Sequence, residues 1–260
     1  MKTINVLVGP RLGDLFHTLA FPRYAYDKMG IKSNIYITET NDTFQFGLDR
    51  AYQDLKPIIE IQDFCNTFEI YNPDIHKISV NTMKYRTSPY LYKTTWPQII
   101  LNTFISSQPK VPYNFKILDI PGNELYKDAL IINRANGKHD ITDFSRKTYL
   151  DVINQFDKKY FIFVEEKHYD EFFHKDIVEP LYVPNLYDFM SVISGCKCFI
   201  GNQSGPFAIA SVLNVPRIGE LFHKTLFRDD IHYLNDGNNY DCVELFNMES
   251  YLTDKKIYLK

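Results

Sequence analysis

The sequence predicts an α/β chain built from two Rossmann-like halves, and three observations carry this prediction. Residues 4–8 form a short apolar, β-branched run, and a turn, a helical pattern and a second strand pattern follow it. Residues 129–133 open a second series of the same kind. Residues 196–200 form another apolar run, which enters a Gly/Ser turn and then a small apolar helix. Short apolar runs that alternate with helical patterns indicate buried parallel strands.

Composition and charge exclude several classes of function. The chain has 260 residues, enough for two modest domains, with a formal net charge of -3 and a pI near 6.2. A general nucleic-acid binder is usually basic, so we expect no nucleic-acid partner. The sequence contains no long uncharged apolar run, and its first apolar run is too short for a signal peptide. We therefore expect no transmembrane segment.

The cysteines point to a reducing compartment and to no metal. Cys65, Cys196, Cys198 and Cys242 form neither a C-x-x-C pair nor a zinc-ligand spacing. Cys196 and Cys198 flank one residue of a predicted strand, so we expect them on one face as reduced core residues. No His, Asp or Glu cluster has the spacing of a metal site. A cytoplasmic location is the expectation.

The first half reads as one β-loop-α-β unit. A strand over residues 4–8 leads into a Gly/Pro turn over 9–13, and Asp14 stands where a helix N-cap would stand. The helix continues to about Met29, with a kink or a new start at Pro22, and Gly30 closes it. A second strand covers residues 33–37. The G-x-G-x-x-G dinucleotide fingerprint is absent.

The middle of the chain carries a weaker pattern. We predict a helix over residues 44–55 and short strands or connectors over 57–64 and 68–72. Residues 85–104 are rich in Tyr and Thr and hold the only tryptophan, Trp96, so they either line a cleft or form a half-buried surface. The half-buried surface is slightly favoured. The Pro-rich stretch that ends at residue 123 predicts the linker, with domains over 1–123 and 124–260.

The second half repeats the α/β rhythm. The pattern predicts strands over residues 129–133, 160–164, 178–183 and 215–218, and helices over 148–156 and from an Asn185 N-cap to about 194. Residues 134–140 form a polar loop. The tail over 224–260 is polar and aromatic, and in many two-domain α/β proteins such a tail packs back on the first domain.

The stretch over residues 201–210 is the strongest candidate for a binding site. A strand, a tight Gly/Ser turn and a helix expose backbone N–H groups at a helix start, where the helix dipole favours an anion such as phosphate. Ser204 either caps the helix or donates to a ligand, and Pro206 suits the first helical turn. An ordinary βα turn with an N-cap is an equally weighted alternative.

Three polar segments are expected at one cleft. Ligands of open α/β sheets bind at the carboxyl ends of the strands. Residues 11–17, 134–139 and 202–207 each follow a predicted strand. We therefore place them on facing rims between the two halves.

Two of these segments resemble one family. Residues 7–19, which contain Gly13-Asp14 followed by His17-Thr18-Leu19, are similar to the G-D-hydrophobic-x-H-T-L segment of the ADP-heptose:lipopolysaccharide heptosyltransferases. Residues 199–210 resemble that family's G-x-D-[ST]-G-P-x-H-x-A donor turn, and residues 213–216 its L-G-x-P. The match covers about a quarter of the chain. Gln203 stands where the family has Asp, and Phe207-Ala208 replaces a Met-His pair.

The resemblance implies a GT-B fold, with the acceptor in the first Rossmann-like domain and a nucleotide-sugar in the second. It implies metal-independent, inverting glycosyl transfer, with Asp14 as the general base. No cofactor is implied beyond the nucleotide-sugar co-substrate. The partners would be that donor and a glycan or glycolipid acceptor, which is compatible with peripheral membrane contact.

The residues themselves give each role an alternative. Asp14 could be only a helix N-cap, and a capping carboxylate is a weak base. His17 lies on the same helix face as Asp14 and is the alternative base, against an ordinary packing role. The other candidate contacts are, on the donor side, Arg134, Lys138, Asn202, Gln203, Ser204, Gly205, Pro206, Phe207 and Glu220, and, on the acceptor side, Arg11 and Gly13.

The basic and acidic candidates have separate roles. Arg134 and Lys138 are expected to meet the diphosphate, and Arg11 could do the same from the opposite rim. Glu220 could accept hydrogen bonds from ribose hydroxyls. Backbone N–H groups at the turn would stabilise the leaving nucleoside diphosphate without a metal. Two other functions remain open: a non-catalytic nucleotide-sugar-binding protein and a sugar-nucleotide epimerase of similar fold.

Overall fold

Two parallel β-sheets organise the chain, as a computed structural model shows. The structure describes residues 2–9, 11–39, 44–91, 94–111, 115–135, 143–202, 204–221 and 239–244. The chain divides into two compact units, Met1–Ile120 and Pro121–Lys260. All described strand pairs are parallel, in sheets of four and six strands, which confirms the α/β class with a Rossmann-like series in each half.

The first unit holds four strands in the order β3-β2-β1-β4. Its elements are β1 (Thr3–Val8), α1 (Leu12–Thr18), α2 (Ala20–Met29), β2 (Lys32–Ile37), α3 (Leu48–Ile59), β3 (Cys65–Ile70), β4 (Val80–Asn81), a 3-10 helix (Thr82–Thr87) and α4 (Trp96–Phe104). Val6, Val8, Ile35 and Ile37 alternate along β1 and β2 and are fully buried, so the apolar face of this sheet forms the core of the unit.

The structure changes two expectations for the first unit in detail. The helix from Asp14 to Met29, predicted with a kink or a new start at Pro22, is two helices that divide at Leu19, because α1 ends at Thr18 and α2 begins at Ala20. Pro22 occupies the first turn of α2, where its missing N–H costs nothing. Residues 57–59 are helical, since α3 places Leu55, Ile58 and Ile59 in the core, with Pro57 in its last turn. Gly30 closes α2 in a left-handed conformation, as expected.

The second unit holds six strands in the order β10-β9-β8-β5-β6-β7. Its elements are a 3-10 turn (Glu124–Tyr126), β5 (Leu130–Asn133), α5 (Asp143–Ile153), β6 (Lys159–Phe163), α6 (Glu166–Asp170), a 3-10 turn (Lys175–Ile177), β7 (Glu179–Tyr182), α7 (Leu186–Gly195), β8 (Cys198–Asn202), α8 (Gly205–Val212), β9 (Arg217–Leu221) and β10 (Asn239–Glu244). One face of β5, β6, β8 and β9 packs against Tyr149, Val152 and Ile153 of α5.

The second unit corrects some boundaries and confirms others. Cys196 is not in a strand with Cys198, because it is the C-cap of α7, although both thiols are buried and free as predicted. Helix α5 begins at Asp143, five residues before its predicted start. Asn185 caps α7 as expected, with its side chain accepting from the Asp188 N–H. Apart from β10, the predicted C-terminal tail lies outside the described residues.

Candidate functional site

The candidate donor turn lies at the carboxyl end of β8. Strand β8 ends at Asn202, and α8 starts at Gly205. Ser204 occupies the N-cap position with an extended backbone, but its hydroxyl donates to the Asn202 carbonyl at 3.1 Å and makes no cap bond. Pro206 lies in the first helical turn, as predicted. Gln203 lies outside the described residues.

Two glycines shape this turn in opposite ways. A Cβ at Gly201 would lie 2.4 Å from the Asn133 carbonyl oxygen, so only glycine allows β8 and β5 to approach this closely. A Cβ at Gly205 would meet no atom within 4 Å. The Gly205 N–H has no recorded acceptor among the described residues. The first turn of α8 therefore presents open space and a backbone donor at the positive end of the helix dipole.

Asn202 binds the backbone of Ala135, the second residue after β5. Its side-chain nitrogen donates to the Ala135 carbonyl at 2.8 Å, and its side-chain oxygen accepts from the Ala135 N–H at 3.0 Å. Asn202 is fully buried. Both hydrogen-bonding groups of the side chain thus hold the chain after β5 against the end of β8, and the predicted donor contact by this side chain is corrected to a positioning contact.

Arg134 and Glu220 form one buried ion pair across the sheet. The strand register aligns Asn133 with Gly201 and Asn202 with Glu220, so Arg134, Asn202 and Glu220 form one row at the carboxyl edge. Arg134 Nε donates to one Glu220 carboxylate oxygen at 2.8 Å, and a terminal nitrogen donates to the other at 3.1 Å. Both side chains are at most 3% exposed.

Tyr149 of α5 completes this buried cluster. Its hydroxyl donates to Glu220 at 3.2 Å, and burial, followed by the charge of Glu220, raises the pKa of Tyr149 well above its ordinary value. The hydroxyl therefore stays protonated and remains a donor. Both side chains that the sequence placed at the donor are therefore buried and bonded to each other inside the unit.

The remaining donor-side predictions separate into core and undescribed residues. Phe207 is fully buried, with its ring 6.2 Å from that of Phe199, so its side chain is a core residue and not a donor contact. Lys138 lies outside the described residues. The turn at Ser204, Gly205 and Pro206 is the part of the prediction that the structure leaves accessible.

The first unit places Asp14 beside a cation at the carboxyl end of β1. Asp14 is the third residue of α1, whose N-cap is Arg11, so its predicted N-cap role is wrong. Instead the Asp14 carboxylate accepts a hydrogen bond from the Arg86 guanidinium in an ion pair, and both side chains reach solvent. Gly13 precedes Asp14 within α1, and Arg11 is exposed at its start.

A stack of aromatic rings supports that ion pair. His17 lies one helical turn after Asp14, and its ring stacks on Trp96 with centroids 5.1 Å apart and planes 8° apart. Trp96 meets Tyr85 edge to face at 5.5 Å. Burial, then the neighbouring Asp14 charge, raises the pKa of Tyr85. His17 is 1% exposed, which opposes its predicted use as a base within this unit.

The same stack revises the expectation for residues 85–104. Tyr85 and Trp96 are 4% and 5% exposed and belong to the core, whereas Tyr90, Gln98 and Thr103 of the same stretch are half-buried, in line with the favoured half-buried surface. Sequence reasoning missed Arg86 and Tyr149. Arg86 sits in an unremarkable Lys-Tyr-Arg run, and Tyr149 is one aromatic among many on helical patterns, so neither carried a local signal.

The described residues hold neither a cluster of metal ligands nor a helix that could span a membrane. No group of three or more His, Cys, Asp or Glu side chains there could hold a metal ion. In that same part of the chain, no helix is both long enough and apolar enough to span a membrane.

The fold is similar to those of solved glycosyltransferases. E. coli heptosyltransferase WaaC with ADP has 11% identity, covers 96% of this chain and 99% of its own, and gives a TM-score of 0.56. This chain shares its fold with that heptosyltransferase. A glycosyl transferase of family 9 from Veillonella parvula has 13% identity, covers 86% of this chain and 81% of its own, and gives a TM-score of 0.54.

A third solved structure shares the fold and contains iron. The iron-containing dodecameric glycosyltransferase TibC from enterotoxigenic E. coli has 12% identity, covers 84% of this chain and 61% of its own, and gives a TM-score of 0.55. No protein-family model and no curated protein sequence matches the chain. The GT-B fold predicted from the sequence is confirmed.

Proposed function

We propose that the chain is a nucleotide-sugar-dependent glycosyltransferase. The observation that carries the proposal is the accessible start of α8, where open space lies in front of Gly205 at the carboxyl end of a central parallel strand. A nucleoside diphosphate fits that position because backbone N–H groups and the helix dipole favour phosphate oxygens. The shared fold with a heptosyltransferase solved with ADP supports the same ligand class.

The turn would also stabilise the leaving group. When the bond between the sugar and the diphosphate breaks, negative charge develops on the departing phosphate oxygens. Donors that are already oriented, such as the Gly205 N–H, stabilise that charge without reorganisation. We therefore propose transfer without a metal. Because TibC, which shares the fold, contains iron, binding should be measured both with a metal ion and with a chelator.

The acceptor chemistry is assigned to Asp14. In an inverting transfer an acceptor hydroxyl attacks the anomeric carbon, the nucleoside diphosphate departs, and one base takes the hydroxyl proton. Asp14 is a partly exposed carboxylate at the carboxyl end of β1, oriented by Arg86. We propose a glycan or glycolipid as the hydroxyl acceptor.

Binding is tested by the thermal midpoint of the whole chain with a panel of nucleoside diphosphates and nucleotide sugars. Each ligand is tested with Mg²⁺ and with EDTA. A ligand at 100 times its Kd should add about 2.7 kcal/mol to the free energy of unfolding. A shift from one base that survives EDTA is expected. No shift from any ligand would contradict the proposal.

The base is tested with Asp14→Asn. Removing a general base lowers turnover by about 10²- to 10⁴-fold, while donor binding should stay unchanged. The measurement is release of nucleoside diphosphate from the nucleotide sugar that shifts the midpoint, with pooled glycans as acceptors. Asp27→Asn, which removes another helical carboxylate paired with an arginine, is the matched control and should keep full turnover. Equal rates in the two variants would remove Asp14 from the mechanism.

One observation favours a second candidate, a nucleotide-sugar-binding protein without catalysis. The Asp14 carboxylate already accepts a hydrogen bond from the Arg86 guanidinium, so an acceptor hydroxyl would have to compete with that contact. If this second function is correct, the wild-type chain, Asp14→Asn and Asp27→Asn should all bind the donor, and none of them should release nucleoside diphosphate.

A further inference from the structure

Two guanidinium groups of the second unit meet on one aromatic ring. The Arg134 guanidinium carbon lies 5.8 Å from the centre of the Phe173 ring, and that of Arg146 lies 5.3 Å from it. Tyr149 packs against the same ring edge to face at 5.4 Å. Phe173 thus links the buried Arg134–Glu220–Tyr149 cluster to a second cation on α5.

The two cations differ in what neutralises them. Arg134 is buried and forms two hydrogen bonds with Glu220. Arg146 is exposed, and in the described part of the chain no carboxylate pairs with it. The Arg146 guanidinium lies near the carboxyl edge of the sheet, where its side chain contacts the ring of Phe173.

The place of Arg146 is fixed by the backbone as well as by the ring. His174 Nε2 donates to the Arg146 carbonyl oxygen at 2.7 Å. His174 therefore holds the backbone of Arg146, while the ring of its neighbour Phe173 contacts the Arg146 side chain. Contacts then continue from Phe173 to Arg134, whose neighbour Ala135 is bound on both its N–H and its carbonyl by Asn202, two residues before the Ser204 N-cap.

We propose that Arg146 binds a phosphate group of the nucleoside diphosphate whose other phosphate meets the start of α8. The proposal rests on the proposed function. A guanidinium presents a planar fork of N–H donors that matches phosphate oxygens, and a flat aromatic support limits the freedom it loses on binding. The sequence assigned this role to Arg134 and Lys138. Glu220 already binds the Arg134 side chain, Lys138 lies outside the described residues, and Arg146 is an exposed cation on the same aromatic ring as Arg134.

The test compares two adjacent cations of the same helix. Arg146→Ala removes the cation on the ring, whereas Lys147→Ala removes an equally charged, exposed neighbour with no recorded ring contact. Calorimetric titration of the whole chain with ADP, UDP and GDP, and with the matching monophosphates, gives the affinities. We expect Arg146→Ala to weaken the diphosphate that binds by about tenfold or more, and Lys147→Ala to stay within twofold. Arg146→Lys should restore only part of the loss.

The outcomes separate this inference from the proposed function. If the wild-type chain binds a nucleoside diphosphate and Arg146→Ala weakens it no more than Lys147→Ala, the role of Arg146 is overturned and the proposed function stands. If the wild-type chain binds none of the three, the proposed function fails and this inference fails with it. A smaller gap between diphosphate and monophosphate affinities in Arg146→Ala than in the wild type would support a phosphate contact directly. Unchanged thermal midpoints of both variants show that folding is intact.

Discussion

At the scale of single residues, the clearest feature is a cation and an anion that share one buried site. Arg134 and Glu220 are 86 residues apart in the chain and bind each other through two hydrogen bonds. The sequence identified both as polar residues near strand ends, which was sufficient to select them. Their mutual bond could not be predicted, because it depends on β8 lying between β5 and β9.

Removing one partner of the Arg134–Glu220 pair should lower the free energy of unfolding more than replacing both partners. Arg134→Met leaves Glu220 buried without its cation, which should lower the free energy of unfolding by about 3–5 kcal/mol. Arg134→Met with Glu220→Met removes both charges, so it should recover most of that loss. A residual cost of about 1 kcal/mol is expected, since the Tyr149 hydroxyl loses its acceptor. Urea unfolding followed by circular dichroism measures both. A double variant no more stable than the single one would contradict this view of the pair.

At the scale of elements, the β8–α8 turn was the best-predicted part of the molecule. Its strand, its N-cap position and its proline in the first turn were all predicted from local pattern. Burial of Phe207 and the use of Asn202 as a clamp on Ala135 were not, because the sequence around them is also that of an exposed donor loop. Local pattern specifies the backbone of such a turn, whereas packing decides which side chains stay free.

The two glycines of this element provide a matched pair of substitutions. Gly201→Ala places a Cβ against the Asn133 carbonyl, so we expect a loss of about 1–3 kcal/mol in the free energy of unfolding. Gly205→Ala meets open space in a helical turn and should be neutral or stabilising by up to about 1 kcal/mol. Thermal midpoints of the two variants measure the difference. Equal midpoints would contradict the close approach of β5 and β8.

At the scale of the whole molecule, the sequence predicted two α/β halves, and the structure divides into two compact units. Long apolar strands were the reliable signal. The break in the first helix was expected at Pro22 and lies at Leu19, and the aromatic core around Trp96 was not foreseen, because the position of each depends on packing between distant elements. The arrangement of the two halves around a cleft stays a prediction.

Buried thiols in both units give the stability of the chain a defined pH dependence. Burial raises the pKa of Cys65 and of Cys198 from 9.0 to about 12, against an opposing effect of Lys197 on Cys198. The folded state therefore favours the neutral thiols. Their contribution is fully present below pH 9 and is lost as the pH rises from 9 towards 12, by about 1.4 kcal/mol per thiol per pH unit.

The corresponding measurement is the urea midpoint at pH 8, 9.5 and 10.5. Because other groups titrate in the same range, Cys65→Ala with Cys198→Ala serves as the reference. The wild-type midpoint should fall more steeply with pH than that of the variant. Parallel curves would show that these thiols are not held neutral by the fold.

The most direct test of the central claim is titration of nucleoside diphosphate into Gly205→Asp, with Gly205→Ala as its control. An aspartate in the first turn of α8 should keep or raise helix stability, because a negative charge there complements the dipole. The same charge would occupy the open space in front of the turn and repel phosphate. The account predicts that the wild type and Gly205→Ala bind the diphosphate and that Gly205→Asp, with an unchanged thermal midpoint, does not. Equal affinity in Gly205→Asp and Gly205→Ala would show that the start of α8 is not the phosphate site.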